Sequence, residues 1–291
     1  MRLLIALALA AGLQTPTDPP RRVVDGQTGE TRPWAAMIDE LALADVVFVG
    51  EQHDDPNTHK LELAILQELS AKGRPVSLAM EMFERDVQEP LLHFGMGHMD
   101  EPEFLKASRP WPRYATDYKP LVDFAISKNL PVVASNVPRP FASEVSKNGF
   151  APLATKTAEQ KKWFAADLQC PTGDDEYYRK FLEAMGTHPD ASADKFYFSQ
   201  CVKDETMAES IAQSYAAGAV GGKRPMVIHV NGAFHSDFHY GTVSRAQRRL
   251  PGKRIAVVTV MPVQNIDTAI PDATDRRRAD YLVYTPAPIK K

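Results

Sequence analysis

The residues able to do chemistry stand in short polar strings directly after apolar runs. Gly50-Glu51-Gln52-His53-Asp54-Asp55 follows Val46-Val47-Phe48-Val49, and Asn231-Gly232-Ala233-Phe234-His235 follows Met226-Val227-Ile228-His229-Val230. Both strings contain Gly-x-x-His. One such motif is weak, since glycine ends strands and histidine tolerates loops. Two copies placed alike point to one site shared by His53 and His235. Glu81 sits within the apolar run that starts at Val76, where a carboxylate must be paired or functional. Its bland reading is an ion pair with Arg85 or Arg139. Imidazole and carboxylate together suit a divalent metal such as zinc, manganese or iron, or general acid–base chemistry. The metal set on this reading is Glu51, His53, Glu81 and His235. His-Glu-x-x-His, a Gly-rich phosphate loop, Gly-x-Ser-x-Gly and Cys-x-x-Cys-His are all missing from the sequence. His229 alternates with apolar neighbours and is read as a satisfied core histidine. His59 falls in a first helical turn and is expected to be solvated, while His93, His98 and His188 lie in helical stretches and stay unassigned.

These side chains need elements that bring them to one place. Strands are expected at Val46–Val49, Val76–Met80, Pro131–Ser135, Met226–Val230 and Ile255–Val260, with an edge strand at Tyr281–Tyr284. Between them lie helical patterns. Asp55-Pro56 opens a helix carrying Leu61, Ile65 and Leu69 and stopped by Gly73, and another carries Leu121, Phe124, Ala125 and Ile126. Asp204 is expected to lead a helix through Met207, Ile211 and Tyr215, and a short basic helix covers Thr242–Arg249. This alternation predicts an α/β fold, a mostly parallel sheet flanked by helices with a smaller helical subdomain. In such a sheet Glu51, His53, Glu81, Arg85, Asn136, Arg139, Asn231, His235 and His239 gather at the carboxyl ends of the strands, where ligands bind. The α/β core is assigned to 23–139 and 200–285, with 140–199 as a helical insertion and 86–116 packed beside it.

The chain has 291 residues, 44% hydrophobic and 24% charged, with a net charge of −3. That composition excludes disordered, collagen-like and coiled-coil proteins, and the charge leaves no footprint for nucleic acid. Met1-Arg2 followed by eleven mostly aliphatic residues, Leu3 to Leu13, is read as a signal peptide over 1–20, too short to span a membrane. Periplasmic or secreted localisation follows, without a lipid-anchor cysteine after the apolar run. Cys170 and Cys201, the two cysteines, are then most simply a disulfide. Closing that loop contributes roughly 3–4 kcal/mol. Two free thiols or a metal pair are the competing readings.

Together the strings Val47–Asp54, Ala79–Arg85, Asp117-Tyr118-Lys119-Pro120, Ser135–Arg139, Ser199–Ala208 and Asn231–His235 resemble the ChaN family of haem-binding, iron-uptake-associated proteins, over about residues 46–261. The family is grouped with the Tiki, TraB and erythromycin-esterase proteins. The resemblance implies haem as cofactor, held through a tyrosine oxygen, with Tyr118 and Tyr114 first and Tyr177 and Tyr178 behind them. Asn136, Gln200, Asp204, Asn231 and His239 are the further ligand contacts it implies. Haem is expected between the helical excursions and the sheet rim, with a homodimer and outer-membrane or periplasmic haem-transport components as partners. The hydrolytic branch of the superfamily implies an alternative. There Glu51, His53, Glu81 and His235 hold a metal or activate water, and Arg85 or Arg139 stabilises an oxyanion. A non-catalytic scaffold with a buried polar rim is the third reading.

Overall fold

The structure is a computed structural model that describes residues 19–288; the signal-peptide expectation over 1–20 lies almost entirely outside the described residues. Eight strands form one sheet: β1 (Arg22–Asp25), β2 (Thr31–Arg32), β3 (Val46–Glu51), β4 (Val76–Glu84), β5 (Val132–Asn136), β6 (Met226–Gly232), β7 (Ile255–Val263) and β8 (Tyr281–Pro286). Their order is β2-β1-β8-β7-β3-β6-β4-β5. Every pairing from β8 through β7, β3, β6 and β4 to β5 is parallel, whereas β1 runs antiparallel to β2 and β8. The sheet is therefore mixed and mostly parallel, as expected. The C-terminal strand was expected at an edge but is interior, because β1 pairs along its free side with Val23 opposite Val283. At four residues, β1 was too short to stand out in the sequence.

Helices cover both faces. α1 (Trp34–Leu41), α2 (Pro56–Ser70), α3 (Gln88–Gly95), α4 (Glu101–Ser108), α5 (Tyr114–Asp117) and α6 (Lys119–Ser127) precede β5. α7 (Arg139–Asn148), α8 (Ala151–Ala154), α9 (Glu176–Met185) and α10 (Ala191–Gly218) follow it, and α11 (Gly241–Arg249) follows β6. Two-sided cover explains why β3 and β6 read as unbroken apolar runs. Along each strand the side chains divide by parity. Val47, Val49, Met80, Ile228 and Val230 join one cluster with Leu61 and Ile65 of α2, and Val46, Phe48, Ala79 and Val227 join another with Ile211 of α10 and Val243 of α11. Each fully buried aliphatic side chain contributes about 1.5–3 kcal/mol.

The helix starts follow local chemistry. Asp55 caps α2 by accepting from the Asn57 amide at 2.9 Å, with Pro56 in the first turn. The expected start at Asp204 is displaced: α10 runs unbroken from Ala191, capped by Asp190, which accepts from the Ser192 and Ala193 amides. Asp204 lies mid-helix because its carboxylate reaches sideways to other elements, as described below, and no proline or glycine interrupts the helix before it. The two irregular stretches also part company. Val87, Leu91, Phe104 and Tyr114 enter the α2-side core, while Phe141, Val145, Leu153 and Phe164, and then Tyr177, Tyr178, Phe181 and Tyr197, form two separate clusters. Cys170 and Cys201 form a disulfide, with Cα atoms 5.8 Å apart, tying the loop before α9 to α10.

Candidate functional site

Parallel register places the polar strings at one rim. Glu51 at the end of β3 stands opposite Gly232 at the end of β6. In β4 the pairing with β5 shifts register between Met80 and Glu84, an irregularity that spans Glu81. Such a bulge re-aims side chains: Glu81 Oε2 accepts from the Gly232 amide at 2.7 Å, and its own carbonyl accepts from Asn136 Nδ2 at 3.0 Å. A cavity of about 620 Å³ opens here, and among its lining residues are Glu51, His53, Glu81, Asn136, Arg139, Gln200 and His235. Those seven sequence-selected residues share one space.

His53 is the exposed imidazole of the cavity, its side chain 48% accessible. Its Nδ1 meets Glu51 Oε1, and its ring lies edge-on to Trp111 at 5.2 Å between centroids. The hydrogen bond to Glu51 raises its pKa against the opposing effect of burial. A Cβ on Gly232 would fall 2.8 Å from both Cε1 and Nε2 of His53, so glycine is what lets the ring lie against β6. His235 is buried and bridges two carboxylates, Asp204 Oδ1 at 2.7 Å from Nδ1 and Glu81 Oε1 at 3.4 Å from Nε2. Burial alone would lower its pKa, but the charges of Glu81 and Asp204 overcome this and push it up to about 10; Glu81, despite burial, is held near 2 by the same histidine. At neutral pH His235 is an imidazolium with both nitrogens occupied.

Several expected residues lie elsewhere. Arg85 turns away from the cavity: its guanidinium meets Glu209 at 2.8 Å, Ser210 Oγ at 2.8 Å and the Thr206 carbonyl at 2.9 Å. It pairs with neither Glu81 nor the cavity and has no oxyanion to stabilise. Tyr118 is buried and donates its hydroxyl to Glu51 Oε1 at 2.9 Å, and Tyr114 is buried against Phe83 and Phe104. Burial pushes both phenols well above the usual tyrosine range, so neither presents a phenolate. Tyr177 donates to Asp204 Oδ2 at 2.8 Å and Tyr178 to Asp194. Asp204 and Asn231 support the rim from behind, Asn231 through His229 Nδ1 at 3.0 Å and Ser236 Oγ at 3.0 Å. His239 lines a different hollow, beside Asp25 and Asp280.

His59 was expected at the surface; it is buried, facing Glu51, Glu62 and Asp117. The reason is that α2 packs its first turn against the end of β3, so a first-turn histidine faces inward. Sequence reasoning also missed Trp111, Lys203, Phe234 and Arg278 of the cavity wall. Lys203 and Phe234 stood within strings already singled out; Trp111 and Arg278 carried no signal beyond their residue type.

The haem-binding uptake, Tiki superfamily, ChaN family model matches residues 37–246. The chain belongs to this family. A solved structure of ChaN from Campylobacter jejuni superposes with a TM-score of 0.68 at 18% identity, covering 92% of this chain and 97% of that one; at that identity the likeness shows the ChaN fold. The protein RETICULATA-RELATED 5, chloroplastic, of Arabidopsis thaliana is 26% identical over 278 residues, 88% of this chain. This ChaN-family chain spans about a third of that relative's length, 35%.

Proposed function

We propose that this chain binds haem at the rim cavity, with His53 Nε2 as the protein ligand to iron. Family membership supports the class of ligand, and the Campylobacter jejuni relative is described as binding haem cofacially. The observation that carries the site is the composition of the cavity wall. Trp111, Val137 and Phe234 offer apolar contact for a flat macrocycle, and Arg139, Lys203 and Arg278 bring three cations to the same wall. Among the described residues neither Arg139 nor Lys203 has a carboxylate in ion-pair range, so both are available to haem propionates. The volume lies within the range of ordinary ligand cavities. With Nδ1 committed to Glu51, His53 keeps Nε2, which lies beside Gly232 in the cavity wall, as its remaining donor, the arrangement in which an outer carboxylate orients a ligating histidine. Haem supplies the redox-active iron; the protein's part is to seat the ring and set the axial donor. On the same reading the chain is exported, pairs as a dimer over cofacial haem and serves iron acquisition.

The test is a haemin titration followed by absorbance on wild type, His53→Ala and an Arg139→Ala/Lys203→Ala double variant. Saturable binding is expected, with an altered Soret band in His53→Ala and weaker affinity in the double variant. No saturable binding by folded wild type sinks the reading. An unchanged Soret band in His53→Ala discards His53 alone.

A further inference from the structure

Beneath the cavity floor, on the α2 side of the sheet, three side chains converge that haem binding does not use directly. Donor atoms of Glu51, His59 and Glu62 lie within 4.8 Å of one another, all buried. His59 Nδ1 stands 3.1 Å from Glu62 Oε2 and 3.4 Å from Glu51 Oε2. Ligand atoms that share one metal at about 2.0–2.2 Å must themselves sit roughly 2.9–3.6 Å apart in octahedral or tetrahedral geometry. Both separations fall there.

The groups around these atoms are arranged as outer partners of a ligand set. His59 Nε2 faces away, 3.5 Å from Asp117 Oδ2 and 3.3 Å from the His53 carbonyl, while Asp117 is fixed by Arg113 Nε at 2.8 Å. A ring that donates Nε2–H outward turns its Nδ1 lone pair inward, as ligating histidines do. Glu51 divides its two oxygens in the same way. Oε1 accepts from Tyr118 and meets His53, whereas Oε2 faces the cluster. Glu51 Oε2 and Glu62 Oε1 are buried and accept no hydrogen bond from any described residue. No lysine or arginine among the described residues lies in ion-pair range of either carboxylate. Among the described residues the two carboxyl groups meet only His53, His59 and the Tyr118 hydroxyl, and two buried carboxylates this close are unfavourable unless a cation or a proton is shared between them.

The geometry points to a divalent first-row transition-metal site formed by Glu51, His59 and Glu62, beneath the haem cavity and sharing only Glu51 with its wall. One nitrogen and two or three oxygens suit zinc, manganese or ferrous iron. Of the four rim residues selected from the sequence, only Glu51 belongs to this site. No three of Glu51, His53, Glu81 and His235 bring donor atoms within that 4.8 Å, Glu51, His59 and Glu62 being the one such group among the described residues. The ion's part is structural. It holds Glu51 by Oε2, and Glu51 through Oε1 holds His53, so the metal fixes the imidazole that faces the cavity.

The rival occupant is protons: a His59 imidazolium, or a proton shared by the two carboxyls. To separate them, full-length tag-free protein, free of haem, is loaded with zinc, manganese or ferrous iron in turn and dialysed into metal-free buffer. Metal content is then measured by mass spectrometry. About one ion per chain is expected for at least one metal, with X-ray absorption showing a single imidazole in its shell. Glu62→Gln and His59→Gln should each lower retention by about tenfold or more, and His235→Gln should leave it unchanged. Wild type that retains no ion, a shell with two imidazoles, or full retention in folded Glu62→Gln overturns the site. Should either variant fail to fold, the wild-type stoichiometry and shell still decide. Haem affinity is not the readout, so this site can fail while the haem reading stands.

Discussion

Asp204 Oδ1 lies 2.7 Å from His235 Nδ1, joining the middle of α10 to the turn that follows β6. The same oxygen accepts from Thr242 of α11 at 2.8 Å, and Oδ2 accepts from Tyr177 of α9. One fully buried carboxylate thus collects donors from three elements and satisfies all of them. It also keeps His235 charged beneath the cavity, with Glu81 on the other side.

Removing that carboxylate should therefore cost more than one hydrogen bond. Asp204→Ala leaves a buried imidazolium with one partner, and leaves the Thr242 and Tyr177 hydroxyls without their acceptor. The expected loss is about 3–5 kcal/mol, read by urea denaturation. A loss below about 1 kcal/mol would mean that water replaces the carboxylate and that the network adds little to stability.

His229 predicts a pH dependence with a definite sign. It is fully buried, with Nδ1 on Asn231 Oδ1, Ser135 Oγ 3.1 Å from Nε2, and the Phe48 ring edge-on. Burial drives its pKa down to about 4; Glu81 and Asp204 pull it upward and His235 downward, too weakly to change the direction. Between pH 6.5 and about 4 the unfolded chain binds a proton that the folded chain refuses, so stability must fall with acidification. The group contributes on the order of 3 kcal/mol across that window. His229→Gln should flatten the slope of stability against pH between 6.5 and 4 relative to wild type. Parallel slopes would show that other groups govern acid unfolding.

The sheet and its rim were legible because their signal is local. Val46–Val49 and Met226–Val230 are apolar without interruption, Asp55-Pro56 is a cap written in two residues, and strand ends place His53 and His235 without coordinates. What was illegible depends on which face a side chain takes. Glu51 has the parity of Val47 and Val49 and so turns toward α2, where it meets His59; no spacing announces that a first-turn histidine faces inward. Arg85 closes the string that holds Glu81, yet beyond β4 the chain turns and sends its guanidinium to Glu209 on α10. Tyr118 stands in a motif and is near the site, but beneath it.

Tyr118→Phe separates those two meanings of near. The substitution removes a donor to the buried Glu51 carboxylate and leaves the ring packed against Trp111 and His59. Loss of one hydrogen bond to a charged acceptor costs roughly 1.5–3 kcal/mol. Thermal unfolding should show that loss, while the Soret band of the haem complex keeps its position. A shifted band with unchanged stability would restore the phenol as an iron ligand.

The disulfide makes a prediction about stability rather than ligand. Cys170 and Cys201 are separated by 31 positions, and opening that loop should cost roughly 3–4 kcal/mol by chain entropy. Denaturation of a Cys170→Ser/Cys201→Ser double variant against oxidised wild type measures it. Both cysteines stand outside the cavity wall, so saturating haem should still bind the folded double variant.

Gly232→Ala tests His53 without touching any donor atom. Gly232 has φ −55° and ψ 133°, a conformation open to alanine, so backbone strain is not at issue. The added methyl would stand 2.8 Å from Cε1 and Nε2 of His53 and 3.6 Å from Glu81 Oε2. The half-exposed imidazole can swing outward to relieve the clash, so stability should fall by no more than about 1–3 kcal/mol. The ring then loses the position in which Nε2 meets the cavity. Haem affinity should drop about tenfold or more, the equivalent of at least 1.4 kcal/mol, with a Soret band like that of His53→Ala. If Gly232→Ala binds haemin with wild-type affinity and spectrum, the iron does not depend on where His53 sits.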